Sequence, residues 1–313
     1  MSYKTKRKVL FDHDGGIDDL LSLLLLLRMP DIELLGVTVT PADCYLESAV
    51  QATAKILTKA GRTDVPIGVG TYYGENAFPA PWRAQPMFIN ALPSLIDIET
   101  PPSSQMPTAT TLLIDQLQQA TTKVTVLMTG PCSNLVLALE QAPELVYKIE
   151  QVVWMGGAVE VGGNVQAHWH DGSAEWNAYW APQHSQTLLA SNLPLVLISL
   201  DVTNQVPVSV DFLKKLAALP YEYAQLAGQL WASTVYMIPS YHMAYYMWDV
   251  LATCYLGLED AFDIEEKRIL VSASPPNAGE TYLADDGAIT QVAVRINKGV
   301  FYEYVVNLLS SNF

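Results

Sequence analysis

Short apolar runs alternate along the chain with longer segments in which apolar residues recur at helical spacing. Residues 8–12 (KVLFD) read as a strand, and 17–29 (IDDLLSLLLLLRM) as a helix apolar on nearly every face, hence buried. Residues 32–40 (IELLGVTVT) are strand-like, and 46–60 (LESAVQATAKILTKA) keep helical spacing up to Gly61. Further strands are expected at 123–129, 151–155 and 193–201, with helices over 109–120, 132–142 and 183–191 between them. Strands apolar on both faces that alternate with helices predict an α/β fold: a central, mostly parallel sheet flanked by helices, with a Rossmann-like core. From 209 to 258 the pattern is largely helical and rich in Tyr, Trp and Met; a strand near 266–272 and a helix near 301–311 follow. Residues 71–108 carry many Pro, Gly and Ser and read as a long loop, which in a compact domain is usually either functional or disordered. With no internal repeat and no linker, residues 1–313 are expected to form one domain.

The apolar runs stop at polar or small residues: Asp12-His13-Asp14, Thr38 to Asp43, Thr129-Gly130, Gly156-Gly157 and Asp201. Ligands of open parallel sheets bind outside the carboxyl ends of the strands, so these stops should gather around one crevice. Composition narrows what enters it. A formal charge of -15 argues against a nucleic-acid or anionic-membrane surface and tolerates cations and neutral substrates. The leucine run 20–27 is too short to span a bilayer, and the basic start lacks a signal-peptide core. Three scattered cysteines, Cys44, Cys132 and Cys254, match no zinc spacing and suit reduced thiols in a cytoplasmic protein.

The densest chemistry lies in DHDGGIDD (12–19), four aspartates within eight residues. Asp18 and Asp19 fall in the first turn of a helix, where capping alone would account for either. Capping does not explain Asp12 and Asp14 at the preceding strand end. Crowded carboxylates raise one another's pKa unless a cation compensates, and oxygen clusters suit Ca²⁺ and Mg²⁺, so a metal site is the better reading. An EF-hand is excluded, because counting twelve from Asp12 or Asp14 reaches leucines where the loop requires Glu. A strand followed by Asp-x-Asp-Gly also resembles the haloacid-dehalogenase-type phosphatases, with ADDG (284–287) as a late acidic pair. Against that, Gly16 stands where their Thr follows, and Asp18 and Asp19 gain no role.

DHDGGIDD further resembles the N-terminal motif of the nucleoside hydrolases, and more blocks follow in order: TPADC (40–44), NAFPAPWR (76–83), MTGPCSNL (128–135), MGGAVEVGGNV (155–165), DGSAEWNAYW (171–180), SLDVTNQVPV (199–208) and YYMWDVL (245–251). The resemblance implies a Ca²⁺ site at the strand ends, with Asp14, Asp19, Asp249 and the Thr129 carbonyl as ligands and Asp14 also as general base. It implies ribose contacts from Asp18, Met155, Asn164, Glu175 and Asn177. Before that resemblance, a Gly-Asn turn accounts for Asn164, and a helix start accounts equally well for Glu175 and Asn177.

Some members of the family carry a His before the last metal aspartate as leaving-group acid; here Trp248 precedes Asp249. The chain is instead similar to the purine-specific inosine–adenosine–guanosine branch, which implies that Trp82 and Trp248 stack on the purine and that Asp43 contacts it. Stacked indoles favour a protonated ring, so the base can leave neutral. The implied activity is hydrolysis of purine ribonucleosides to base and ribose, in purine salvage, by a cytoplasmic homodimer. A broader or pyrimidine preference, and a nucleoside-binding protein without catalysis, are the alternatives. His13 reads as structural and His242 as a pocket neighbour, while His168 and His170 depart from the family's usual residues at the rim. Asp12 is left unassigned, either a residue that supports the metal ligands from behind or a strand-end hydrogen-bond acceptor.

Overall fold

The computed structural model describes residues 6–237 and 244–313. Nine strands form one sheet in the order β3-β2-β1-β4-β5-β6-β9-β7-β8. Their ranges are β1 Arg7–His13, β2 Ile32–Val39, β3 Ile67–Val69, β4 Val124–Met128, β5 Ile149–Met155, β6 Leu195–Ile198, β7 Phe262–Val271, β8 Thr281–Leu283 and β9 Ala288–Ile296. The pairings from β3 through β6 are all parallel, whereas β7 runs antiparallel to β8 and β9. The fold is therefore the expected single-domain α/β arrangement with a mostly parallel sheet.

The apolar runs are explained by two cores, one on each face of the sheet. Val9 and Phe11 of β1 enter one core while Leu10 enters the other; Val153 and Met155 of β5 separate in the same way from Val152 and Trp154. Side chains alternate faces along a strand, so a strand covered on both sides must be apolar throughout. The helix Ile17–Leu26 lies inside the first core with every residue buried, against the helices Leu46–Lys59, Glu222–Met237 and Trp248–Leu258. Each fully buried leucine there contributes roughly 1.5–3 kcal/mol. That helix ends by its tenth residue, three short of the pattern, because Pro30 and the start of β2 follow.

Two further segments differ from the pattern. The run at 193–201 ends as a strand at Ile198 and turns into the short helix Leu200–Thr203. The long loop 71–108 contains the 3-10 turn Trp82–Ala84 and the helix Gln85–Asn90. Among the described residues no helix is long and apolar enough to cross a membrane.

Candidate active site

The turn after β1 builds the centre of the site. Gly15 adopts φ +87°, and a methyl group on it would lie 2.4 Å from the Ala49 Cβ, so only glycine lets the chain turn this closely over the helix Leu46–Lys59. His13 holds the same turn. Its Nδ1 accepts from the Gly15 N–H at 3.1 Å, and its Nε2 lies 3.1 Å from Thr53 Oγ1, whose hydroxyl proton goes to the Ala49 carbonyl. Both contacts require the neutral Nε2–H tautomer, and burial lowers the ring's pKa to about 4. His13 is thus structural, as its sequence context suggested.

The strand ends and two helix starts converge here. Asp14 follows β1, and its Oδ2 accepts from the backbone N–H of Asp43 at 3.1 Å. Asp18 and Asp19 open the helix Ile17–Leu26, where Asp19 Oδ2 accepts from the Gly16 N–H at 2.7 Å. Asp249 opens the helix Trp248–Leu258 and shares a hydrogen bond with Asp18. Thr129 follows β4; its hydroxyl donates to Asp19 Oδ1, and its N–H is held by the Asp12 carbonyl at 2.9 Å. A methyl group on Gly16 would stand 3.1 Å from Asp19 Oδ2, 3.1 Å from Asp43 Oδ2 and 3.3 Å from Asp18 Oδ1, so three carboxylates face the hollow that its hydrogen leaves.

These carboxylates raise one another. Burial pushes Asp14, Asp43 and Asp249 well above the usual range, and the Asp19 charge adds to it in each case; Asp18 rises to about 7 for the same two reasons. As the side chains stand they turn toward one another: Asp14 bonds to Asp19, and Asp18 to Asp249. Among the described residues no ready-made shell of three such groups surrounds a single point. The donor set itself is all oxygen and strongly negative, which matches a hard divalent cation such as Ca²⁺. A cation would replace those shared protons.

The ribose candidates lie beside this cluster with part of their capacity already used. Glu175 caps the helix Trp176–Trp180, accepting from Asn177 N at 2.9 Å and Ala178 N at 3.2 Å, and it also accepts from Gly157 N at 3.0 Å. Burial raises its pKa to about 7. Asn177 Nδ2 donates to the Thr129 carbonyl at 2.8 Å and the Met155 carbonyl at 3.1 Å, tying the ends of β4 and β5 together. Asn164 Oδ1 accepts from the Trp176 N–H at 3.2 Å. Helix capping and turn formation are therefore real for these residues.

Of the residues expected to contact the base, half-buried Trp82 meets Trp176 edge-on, ring centroids 5.6 Å apart. Half-buried Trp248 meets Tyr245 at 4.8 Å. Asp43 Oδ1 is buried without a partner. Asp12 takes no part in the crevice: fully buried, its Oδ1 accepts from Thr38 Oγ1 at 2.7 Å, Asn134 Nδ2 at 2.9 Å and Thr40 Oγ1 at 3.4 Å, fastening β1 to β2 and to the helix Ser133–Gln141.

Two features expected near the crevice serve elsewhere. Asp201 accepts from Val159 N, Glu160 N and Ser199 Oγ, which anchors the loop after β5. The ADDG pair, Asp285 and Asp286, is exposed in the turn between β8 and β9, which leaves the phosphatase reading without its late carboxylates. At the rim, His170 bridges to the Ala278 carbonyl at 2.9 Å and Trp169 is exposed. His242 lies outside the described residues. Tyr245 is a contact that sequence reasoning missed: its hydroxyl donates to Asp18 Oδ1 at 2.9 Å. Its position four residues before Asp249 was the available signal.

A family model described as inosine-uridine preferring nucleoside hydrolase matches residues 9–303. In sequence the chain is 30% identical over 237 residues to a pyrimidine-specific ribonucleoside hydrolase, RihA, of Shewanella baltica, spanning 72% of this chain and 68% of that one. In structure it is similar to the inosine-uridine preferring nucleoside hydrolase of Bacillus anthracis, with a TM-score of 0.88 and 37% identity over 97% of this chain and 99% of that one. It is also similar to the purine-preferring ribonucleoside hydrolase of Gardnerella vaginalis, with a TM-score of 0.80 and 25% identity over 97% and 98% of the two chains.

Proposed function

Because the chain belongs to the inosine-uridine preferring nucleoside hydrolase family and is therefore an N-glycosidase of nucleosides, we propose that it hydrolyses purine ribonucleosides to free base and ribose. The observation that carries the reading is the group of buried aspartates at the strand ends, with Asp14 oriented by the Asp43 N–H. Asp14, Asp19, Asp249 and the Thr129 carbonyl would hold Ca²⁺. When bound, the cation would neutralise this charge and make a nearby water more acidic.

Asp14 takes the proton of the attacking water as general base. Glycosidic cleavage passes through an oxocarbenium-like sugar, and the surrounding carboxylates stabilise that positive charge. Asp18, Asn164, Glu175 and Asn177 bind the ribose hydroxyls through the oxygens and N–H groups left over from their structural bonds, with Met155 beside the ring. Water's oxygen bonds to C1′, the C1′–N bond breaks, and its electron pair leaves with the base.

Trp82 and Trp248 stack on the base, and Asp43 accepts from its edge. The relatives in sequence and structure include both pyrimidine-specific and purine-preferring enzymes. Two indoles bordering the site, with Trp248 where a histidine acid could stand, favour the larger purine ring. Three buried free cysteines accord with a cytoplasmic role in purine salvage, and the resemblance to the purine branch favours a homodimer.

Base release from inosine tests the reading. Wild-type protein should liberate hypoxanthine, and Asp14→Ala should abolish release while retaining the far-UV circular dichroism of the fold. Undiminished release by a folded Asp14→Ala protein would refute the assignment of the base.

A further inference from the structure

Arg83 follows Trp82 in the 3-10 turn Trp82–Ala84. Its carbonyl accepts from the Tyr45 N–H at 2.9 Å, and its guanidinium carbon lies 4.8 Å from the Tyr45 ring centroid. These two contacts fasten it to the segment that carries Asp43, two residues before Tyr45. A guanidinium offers five N–H donors and, when partly buried, normally spends them on carboxylates or carbonyls. Arg83 is half-buried, yet its guanidinium donates to no described residue, and its buried Nε is without a partner. Asp43 Oδ1 is likewise buried and unpartnered. The Arg83 charge pulls the Asp43 carboxyl down against the burial and the aspartates that push it up, so the two groups stand in each other's field. An unused cationic donor and an unused acceptor beside a tryptophan are the two halves of a site for a group that both donates and accepts.

We propose that Arg83 contacts the leaving base of 6-oxopurine ribonucleosides, donating to the exocyclic carbonyl oxygen on C6, onto which the ring spreads negative charge as the glycosidic bond breaks, while Asp43 accepts from a ring N–H. The inference rests on the nucleosidase reading of the site. In the step, the oxygen of water bonds to C1′ and one water proton passes to Asp14. The C1′–N9 electron pair enters the purine ring, and the base then takes a proton from solvent. Arg83 transfers no proton; it stabilises the ring while the charge is present. For oxopurines this takes the place of the ring protonation expected from the stacked indoles, because a cation beside the ring opposes protonating it before the bond breaks. Adenine places an amino donor where the oxopurines place an oxygen, so it draws less benefit from a cation.

Three substrates separate the possible roles: inosine, adenosine, and p-nitrophenyl β-ribofuranoside, whose leaving group departs as a stable anion. Arg83→Met keeps an apolar stem against Tyr45 and removes the charge. It should lower kcat/KM for inosine roughly tenfold to hundredfold, as expected for loss of a charge-assisted bond in the transition state. Adenosine should suffer less, and the p-nitrophenyl riboside should change by less than about twofold. Arg83→Lys should restore part of the inosine rate. An equal loss on all three substrates, or no loss on inosine, would overturn the proposal. Should Arg83→Met fail to fold, Arg83→Lys alone decides by the same substrate ranking. Wild-type protein that releases no base from any nucleoside would instead overturn the nucleosidase reading on which it rests.

Discussion

Removing the charge of Asp18 should stabilise the cation-free protein while destroying its activity. Asp18 is buried, and its carboxyl rises from 3.8 to about 7 through burial first and the Asp19 charge second. Between these two values the folded state keeps a proton that the unfolded chain has released. Stability therefore falls as pH rises from about 4 to about 7 and levels off above that. A shift of about three pH units corresponds to roughly 4 kcal/mol for an isolated group, and proton sharing with Asp249 makes that an upper figure. In a chain of this length it amounts to roughly 8 °C of melting temperature. Asp18→Asn keeps an acceptor for the Tyr245 hydroxyl and removes the titration. Melting curves in chelator should place variant and wild type close together at about pH 4.5, with the variant several degrees higher at about pH 8. Adding Ca²⁺ at the higher pH should raise the wild type more than the variant. Parallel curves for the two proteins across that range in chelator would refute the picture of mutually repelling buried carboxylates.

Stacking of the base on indoles contributes about 1–3 kcal/mol per contact, so Trp82→Ala and Trp248→Ala should each lower kcat/KM for inosine by roughly tenfold or more, and for uridine by less. Unchanged inosine kinetics in both variants would remove the stacking role. Asp12→Ala leaves Thr38 and Asn134 without their buried acceptor and should cost roughly 3 kcal/mol in urea denaturation. A Gly16→Ala methyl would stand 3.1 Å from oxygens of Asp19 and Asp43. Calorimetric titration should accordingly find weaker Ca²⁺ binding to that variant, and unaltered affinity would move the cation away from this hollow.

In the parallel half of the sheet β1, β2, β4, β5 and β6 were legible because their runs are largely apolar on both faces and separated by helical spacing, whereas β3, Ile67–Val69, is only three residues long and was not foreseen. The helices Leu46–Lys59, Ala109–Gln119 and Pro182–Ala190 begin and end within a residue or so of the pattern. The antiparallel edge was less legible. In β9, Ala288–Ile296, exposed Ile289 and Gln291 are interleaved with buried Thr290 and Val292, a weak alternation that a continuous-run criterion passes over. The carboxylate cluster could be foreseen from Asp14, Asp18 and Asp19 alone, but Asp43 and Asp249 joined it through resemblance, since neither belongs to a local motif with obvious chemistry. What one-dimensional reading missed, the Tyr245 contact to Asp18 and the unpartnered guanidinium of Arg83, depends on tertiary neighbours distant in sequence. The ribose candidates show the converse. Glu175 really does cap a helix and Asn177 really does bind two carbonyls, so the structural reading of such residues does not compete with a functional one.

The central claim, that this chain is a nucleosidase with a purine preference, is tested most directly by kcat/KM for inosine and uridine measured side by side on Ca²⁺-loaded protein. The account predicts stoichiometric hypoxanthine and ribose from inosine, with inosine favoured over uridine. Faster turnover of uridine would contradict the purine preference, and no base from either nucleoside would contradict the account as a whole.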